Sequence, residues 1–346
     1  EAGSHGNSWT VNTPAAAVIS IPTKINNWAF ETVPQKGLNG RKGYQPRGKC
    51  LGGSSAINAM IYVRGHQKDY DQWAELGNHG WSYQEVLPYF IRSENNHDIQ
   101  NEYHGNTGPL SVSNLRTDSP WHERYITAAK EQGYKILDDF NGAEQEGLGV
   151  YQVTHINGER CSAARAYLFP HLERPNLTIF THASTQRILI ENQVVVGVEV
   201  KHGGQIKQLR AHKEVLLSAG AMHSPQILML SGIGDEKELL EHGINVAHHL
   251  PGVGKNFHDH PDFIFSYTVS EIAGTFGVSL AGTIDMVKQI SRYRKERRGM
   301  LSTNFAECGG FLKSTPEKDI PNLQLHFVVG LVDNHARTVH ASHGIS

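Results

Sequence analysis

The sequence lacks a long hydrophobic run, since no stretch approaches the roughly 20 apolar residues that a membrane-spanning helix needs. It also lacks an excess of charge, because 32 lysines and arginines stand against 34 aspartates and glutamates, for a formal net charge of −2. This balance gives no electrostatic case for binding nucleic acid or an anionic membrane surface. The 346 residues, 38% of them hydrophobic, predict a globular chain with one large domain or two ordinary ones.

Cysteine is scarce and follows no paired pattern. Cys50, Cys161 and Cys308 lie far apart, and none belongs to a Cys-x-x-Cys motif. The pattern predicts free thiols in a reducing compartment and disfavours a zinc site. Histidine is abundant at 21 residues, but no His-x-x-x-His or triad-like local pattern marks one of them as catalytic.

Neither end carries the signals of a complete chain. The sequence opens with Glu1-Ala2-Gly3, without a start methionine or targeting segment, and closes with Gly344-Ile345-Ser346 inside a polar stretch. We therefore expect the chain to be a piece of a longer protein.

Local signals predict helices in the first half of the chain. A capping-box pattern at Ser82–Glu85 begins one helix, which Pro88 is expected to shorten or kink. Ser119-Pro120 begins a second helix, which is expected to end before Gly133.

The pattern changes to strands from about residue 176. Strands are predicted over 177–181, 187–190, 194–200 and 206–209, as a small antiparallel meander with turns near 191–192 and 203–204. The apolar run at 214–220 predicts a buried parallel strand, and Ser224-Pro225 predicts a short helix that ends at Gly232–Gly234. A strand, a tight turn and a helix N-terminus in this order suit a phosphate-bearing ligand.

Two further segments have more than one interpretation. Gly52-Gly53 predicts a turn, with Ser54 or Ser55 as the N-cap of a following helix, and such a turn by itself need bind nothing. The basic run Lys288–Arg298 predicts a solvated helix face, with contact to membrane lipid or to a partner as the alternative.

Three motifs together resemble the glucose-methanol-choline (GMC) oxidoreductases. Gly48–Asn58 is similar to the first signature of that family, Gly220–Gly234 to the second, and Leu250–His260 to the segment that follows. The resemblance extends over the whole chain, and the runs at 139–147 and 160–168 look most like the bacterial quinone-linked alcohol and choline dehydrogenase branch.

The resemblance implies an α/β fold, in which a discontinuous, Rossmann-like FAD-binding domain is joined to a substrate domain with an antiparallel sheet. It implies FAD-binding segments at 1–65 and 150–260, a connecting or lid helical region at 66–149, and the start of a substrate domain at 261–346. The family's Gly-x-Gly-x-x-Gly unit is expected to precede Glu1, and its catalytic histidine to lie beyond Ser346. His258 and His260 belong to a family segment without a catalytic role.

The resemblance also assigns cofactor contacts. Glu1 is expected to accept hydrogen bonds from the adenosine ribose. Glycine at 52 and 53, with Ser54, is expected to let backbone N–H groups approach the pyrophosphate and flavin, where a side chain would block contact. Asn58 is expected to add a side-chain hydrogen bond near the same place, and the backbone of Thr185 is expected to meet the adenine. An ordinary turn residue and an ordinary strand residue are the alternative interpretations of Asn58 and Thr185.

The implied activity is oxidation of a primary alcohol to an aldehyde, by hydride transfer to flavin N5, with a quinone as the expected acceptor. Choline dehydrogenase, an O₂-using alcohol oxidase, a hydroxynitrile lyase and an inactive fragment are the alternatives, and the piece alone is expected to be inactive.

Ile57 stands where some relatives attach FAD through a histidine, which predicts a non-covalent cofactor. Glu307 is the one carboxylate of the segment 302–311, which is expected to reach into the substrate domain. It is the candidate substrate-binding residue, and a carboxylate paired within the sheet is the alternative interpretation. The expected location is the cytoplasm, and peripheral contact at the inner membrane is the alternative.

Overall fold

The computed structural model describes residues 1–270, 272–277, 279–338 and 340–346. The helices of these ranges are, in chain order, α1 (Trp9–Asn12), α2 (Ala17–Ser20), α3 (Gln67–Glu75), α4 (Tyr83–Ser93), α5 (Pro120–Glu131), α6 (Gly220–Leu230), α7 (Glu236–Glu241) and α8 (Leu280–Glu296). The strands are β1 (Phe30–Glu31), β2 (Tyr44–Gln45), β3 (Glu94–Asn96), β4 (Leu110–Val112), β5 (Gly147–Val150), β6 (His155–Ile156), β7 (Glu159–Arg160), β8 (Ala183–Glu191), β9 (Val194–His202), β10 (Gln205–Arg210), β11 (Ile233–Gly234), β12 (His248–His249), β13 (Tyr267–Thr268), β14 (Ala306–Leu312), β15 (Leu323–Val328) and β16 (Gly344–Ile345).

Two compact units divide the chain, and each contains helices and strands. Unit 1 comprises Glu1–His5, Lys49–Leu51 and Thr178–Phe263, and unit 2 comprises Gly6–Gly48, Gly52–Leu177 and Ile264–Ser346. Unit 1 is therefore assembled from separated segments, which a hydrogen bond from the Leu51 N–H to the Ser4 carbonyl, at 3.0 Å, helps to join. The functional division of the chain into FAD, connecting and substrate regions stays a prediction, because these units reflect packing alone.

The meander of unit 1 is confirmed with one exception. Strands β8, β9 and β10 pair antiparallel in that order, and positive φ angles at Asn192 and Gly203 mark the two predicted turns. The strand predicted over 177–181 is wrong, because β8 begins only at Ala183. His182 interrupts the extended chain with a φ of 51°, and its N–H donates to the Gly3 carbonyl at 2.9 Å.

The parallel strand predicted over 214–220 is also wrong. No strand of the described ranges pairs with this segment, and the Leu216 side chain is 79% exposed. An apolar run becomes a buried strand only when neighbouring strands cover its edges and helices cover its faces. Helix α6 begins at Gly220, before the predicted Ser224-Pro225 start, so the tight turn falls at a glycine with φ of 84°.

Unit 2 confirms the helix starts that were read from capping signals. At α4, the Ser82 N–H donates to the Glu85 carboxylate at 3.1 Å, and the helix continues through Pro88 for 11 residues. Helix α5 starts at Pro120 and ends before Gly133, as predicted. After residue 262, antiparallel pairing occurs in two separate two-stranded sheets, β14 with β15 and β13 with β16, rather than in one sheet.

Helix α8 carries the basic run as far as Lys295, and Arg297 and Arg298 follow the end of the helix. Arg292 and Arg298 both pair with Asp118, at 2.5 Å each. Leu280, Ile284 and Val287 lie on the outer side of this helix and are 82%, 55% and 65% exposed. Among the described residues, no helix is both long and apolar enough to cross a membrane.

A buried ionic network stabilises the interior of unit 2. Glu94 is fully buried, and its carboxylate accepts hydrogen bonds from Arg64 at 2.7 Å and from His104 at 2.9 Å. The other ring nitrogen of His104 lies 3.0 Å from the Asp139 carboxylate. Burial alone would lower the pKa of His104, but the hydrogen bonds to Asp139 and Glu94 outweigh it and raise the pKa from 6.5 to about 9.

The stability that His104 contributes should therefore depend on pH. A histidine whose pKa is raised on folding stabilises fully below its unfolded pKa, near 6.5, and loses this contribution as pH rises through about 9. We expect His104→Gln to reduce the free energy of unfolding most at pH 6 and progressively less towards pH 10. Urea unfolding of both proteins across this range measures the difference, and a difference that grows with pH would contradict the assignment.

Candidate cofactor site

The turn at Gly52-Gly53 requires glycine. Both residues have positive φ, 93° and 53°, in the left-handed region that side chains disfavour. A Cβ at Gly52 would lie 3.3 Å from the Ala164 side chain, whereas a Cβ at Gly53 would meet nothing within 4 Å. Gly53 thus presents an open backbone surface. Gly48 packs so closely beneath the turn that a Cβ there would lie 2.0 Å from the Gly53 carbonyl oxygen.

The helix predicted after Ser54 or Ser55 is wrong. Only a short 3₁₀ turn, Gly53–Ala56, follows, and its N-cap residue is Gly52. The two serines instead stabilise the turn with their side chains. Ser54 Oγ accepts the Gly48 N–H at 3.1 Å, and Ser55 Oγ donates to the Gly52 carbonyl at 2.5 Å.

A distant segment supports this turn from within unit 2. The Ala163 N–H donates to Ser55 Oγ at 2.8 Å. Arg160 is 1% exposed, and its Nη1 donates to the carbonyl oxygens of Ser55 at 3.1 Å and Asn58 at 2.8 Å. No local pattern in the sequence marks Arg160 as a site residue. Its only signal was a cation within the run 160–168, which resembles the alcohol and choline dehydrogenase branch.

Asn58 lies at the surface end of the same loop. Its side-chain oxygen accepts from Arg160 Nη1 at 2.9 Å and from the Met60 N–H at 3.1 Å. The structure therefore brings four of the predicted cofactor residues together in one loop of unit 2, at positions 52, 53, 54 and 58. Ile57, between them, is 3% exposed and presents no nucleophile.

The two other predicted cofactor residues belong to unit 1. One oxygen of the Glu1 carboxylate accepts the Gly3 N–H at 2.7 Å, and the Glu1 backbone nitrogen donates to the Phe180 carbonyl at 3.0 Å. Thr185 lies in β8, opposite Val200 of β9. Burial lowers the pKa of His223 in α6, while the negative charge of Glu1 opposes this shift.

Glu307 lies in β14 and is fully buried. One carboxylate oxygen is 2.7 Å from His122 Nε2 of α5, and the other accepts from Thr303 Oγ1 at 2.6 Å. Both oxygens are thus hydrogen-bonded within the unit. Burial raises the pKa of the neighbouring Cys308 thiol, so this side chain stays protonated at neutral pH. His258 and His260 are exposed in an irregular segment.

Known proteins resemble this chain along nearly its whole length. The model of the GMC oxidoreductase family matches residues 2–262. An alcohol dehydrogenase (acceptor) of Pseudomonas putida is 40% identical over 350 residues, which cover 99% of this chain and 63% of the relative. An oxygen-dependent choline dehydrogenase of Photobacterium profundum is 39% identical over 352 residues, which cover 99% of this chain and 61% of the relative. The chain thus spans less than two thirds of the length of either relative.

Solved structures resemble the chain as well. A formate oxidase of Aspergillus oryzae RIB40, in a structure that concerns modification of its FAD, has a TM-score of 0.86 at 26% identity. The superposition covers 100% of this chain and 66% of the oxidase. This likeness confirms the predicted α/β fold class.

Proposed function

Because the chain belongs to the GMC oxidoreductase family, we propose that the whole protein uses FAD to oxidise primary alcohols to aldehydes. FAD, when bound, supplies the acceptor for the hydride that leaves the carbinol carbon. The observation that carries the proposal is the turn at Gly52-Gly53, at the centre of a family signature, with an open backbone surface at Gly53.

The residues of this turn fit a large, polyanionic cofactor. A side chain at position 53 would occupy the space that the open turn leaves beside its backbone. Backbone N–H groups of a tight turn with left-handed residues can together bind an anion such as a pyrophosphate. Asn58, exposed six residues after Gly52, supplies an amide donor from the same loop.

Glu1 and Thr185 are the two proposed FAD contacts in unit 1, and a different observation supports each. The Gly3 N–H engages Oε1 of Glu1. The second oxygen, Oε2, is proposed to accept a ribose hydroxyl. The backbone of Thr185 is proposed to meet the adenine. Thr185 lies opposite Val200 of β9, next to a register shift between Thr185 and Arg187.

Anaerobic mixing of the FAD-loaded, full-length protein with 1-octanol tests this activity. We expect the alcohol to bleach the flavin absorbance as the aldehyde forms. A hydroxynitrile lyase does no net redox chemistry, so persistent colour together with cyanohydrin cleavage would favour that alternative. A full-length protein that binds FAD and converts neither substrate would be a non-enzymatic relative.

A quinone is the proposed electron acceptor, and an O₂-using oxidase is the alternative. Stopped-flow mixing of the reduced protein with oxygen or with a soluble quinone separates the two. We expect fast reoxidation by the quinone and slow reoxidation by oxygen, and the reverse order would identify an oxidase.

Peripheral membrane contact, which a membrane-borne quinone would require, has support on helix α8. The exposed aliphatic side chains at 280, 284 and 287 are flanked by Lys288, Arg294 and Lys295. These three cations form no ion pair within the described part of the chain. An apolar face with flanking cations is typical of helices that bind anionic bilayers. We expect the protein to co-sediment with phosphatidylglycerol vesicles but not with phosphatidylcholine vesicles. Binding to neither kind of vesicle would refute the contact.

The flavin is expected to be held without a covalent bond. Covalent attachment at the position of Ile57 needs a nucleophilic side chain, and isoleucine has none. Acid precipitation of the holoprotein should leave the yellow colour in the supernatant. Yellow colour that stays with the pellet after denaturation would show a covalent link elsewhere.

A further inference from the structure

The orientation of the Asn58 amide is fixed by its neighbours. Two N–H donors, Arg160 Nη1 at 2.9 Å and the Met60 backbone at 3.1 Å, converge on the side-chain oxygen. An amide nitrogen cannot accept hydrogen bonds at that place, so the oxygen must face inward. The Nδ2 group of Asn58 therefore points away from Arg160, with its two hydrogens available as donors.

Arg160 also binds backbone carbonyl oxygens around this loop. Its Nη1 also binds the Asn58 carbonyl at 2.8 Å and the Ser55 carbonyl at 3.1 Å, while its Nε binds the Val11 carbonyl at 3.0 Å. A buried guanidinium forms a rigid fork, which lysine cannot reproduce. Its charge also strengthens the hydrogen bond to the amide oxygen and so polarises the amide towards better donation from Nδ2.

We propose that Arg160 is a positioning residue, which holds Asn58 so that Nδ2 donates to a hydrogen-bond acceptor of FAD at the Gly52-Gly53 turn. This inference rests on the proposed function. The acceptor is a pyrophosphate oxygen or a carbonyl or ring nitrogen of the flavin, and each of these can accept a hydrogen bond from the amide N–H.

The first test uses Asn58→Asp in the full-length protein. Aspartate keeps the oxygen that Arg160 and the Met60 N–H bind, and it replaces the donor group with an anionic acceptor. We expect thermal stability of the apoprotein within a few degrees of the parent, and FAD affinity reduced about tenfold or more, as for loss of a polar contact that leaves an acceptor unpaired. A change in flavin midpoint potential or absorption maximum would place the acceptor on the ring, and an affinity change alone would place it on the pyrophosphate.

The second test uses Arg160→Lys, with Arg165→Lys as the matched control. Arg165 lies on the same segment, half-buried, and pairs with Glu159 at 2.9 Å. The Arg160 variant should lose FAD affinity, whereas the control should bind FAD as the parent does. In the double variant Asn58→Asp/Arg160→Lys, the losses should be clearly less than multiplicative, because both changes remove the same donor.

Two outcomes would overturn the inference. One is an Asn58→Asp protein that binds FAD with parental affinity, potential and spectrum. The other is an Arg160→Lys protein that is less stable but, when folded, binds FAD as the parent does, since Arg160 would then be structural only. If the parent itself binds no FAD, the proposed function fails instead, so the two failures are distinguishable.

Discussion

Replacing Glu94 with alanine is expected to reduce the free energy of unfolding by about 3–5 kcal/mol, which is the loss typical of removing one partner of a buried ion pair. Glu94 is fully buried, and its carboxylate accepts from Arg64, His104 and Asn96 at 2.7–2.9 Å. Alanine would leave the Arg64 guanidinium in the interior without its carboxylate. Urea unfolding at pH 7, followed by circular dichroism, measures the loss.

The control for this prediction is an ion pair at the surface of the same unit. Glu296 pairs with Arg292 at 3.2 Å along α8, but the two side chains are 54% and 38% exposed. Glu296→Ala should cost less than about 1 kcal/mol, because solvent screens such pairs. If Glu94→Ala and Glu296→Ala destabilise equally, the buried network does not stabilise the unit in the way its geometry indicates.

The second prediction concerns the substrate. We expect the intact enzyme to prefer medium-chain or aromatic primary alcohols over choline. A quaternary ammonium group needs an aromatic cage or a carboxylate that faces it. Glu307, the candidate carboxylate, is fully buried, and both of its oxygens are engaged, by His122 and Thr303. Sequence identity does not discriminate between an alcohol and choline as the substrate, because the alcohol and choline dehydrogenases are 40% and 39% identical to this chain.

The expected size of this preference follows from apolar burial. Each additional CH₂ in an apolar pocket contributes about 0.8 kcal/mol, or roughly a fourfold gain in kcat/KM. From 1-butanol to 1-octanol the gain should approach roughly two-hundredfold, until the pocket is full. Steady-state kcat/KM for choline, benzyl alcohol and the 1-alkanol series measures it.

Glu307→Gln separates the two assignments. It should leave the order of the alkanols unchanged, since neutral glutamine can still hydrogen-bond to His122 and Thr303. If choline outperforms every alkanol and Glu307→Gln abolishes that preference, the protein is a choline dehydrogenase.

The sequence by itself determined the features that depend on neighbouring residues. The capping signals at Ser82 and Ser119, and the glycine turn at Gly203-Gly204, are local, because the groups that satisfy each backbone N–H or permit positive φ lie within a few residues. The Gly52-Gly53 pair likewise predicted its turn correctly from the two glycines alone, and the family signatures were equally visible in the sequence.

Tertiary structure alone decided which apolar run became a strand and which polar groups met. The run at 214–220 has strand composition, but strand pairing depends on partners elsewhere in the chain. Arg160 lies about a hundred residues from Ser55 and Asn58, and about 150 from Val11, yet its guanidinium binds all three carbonyl oxygens. Such contacts leave no periodic pattern in the sequence, because a buried cation is positioned by acceptors that only the folded chain brings together.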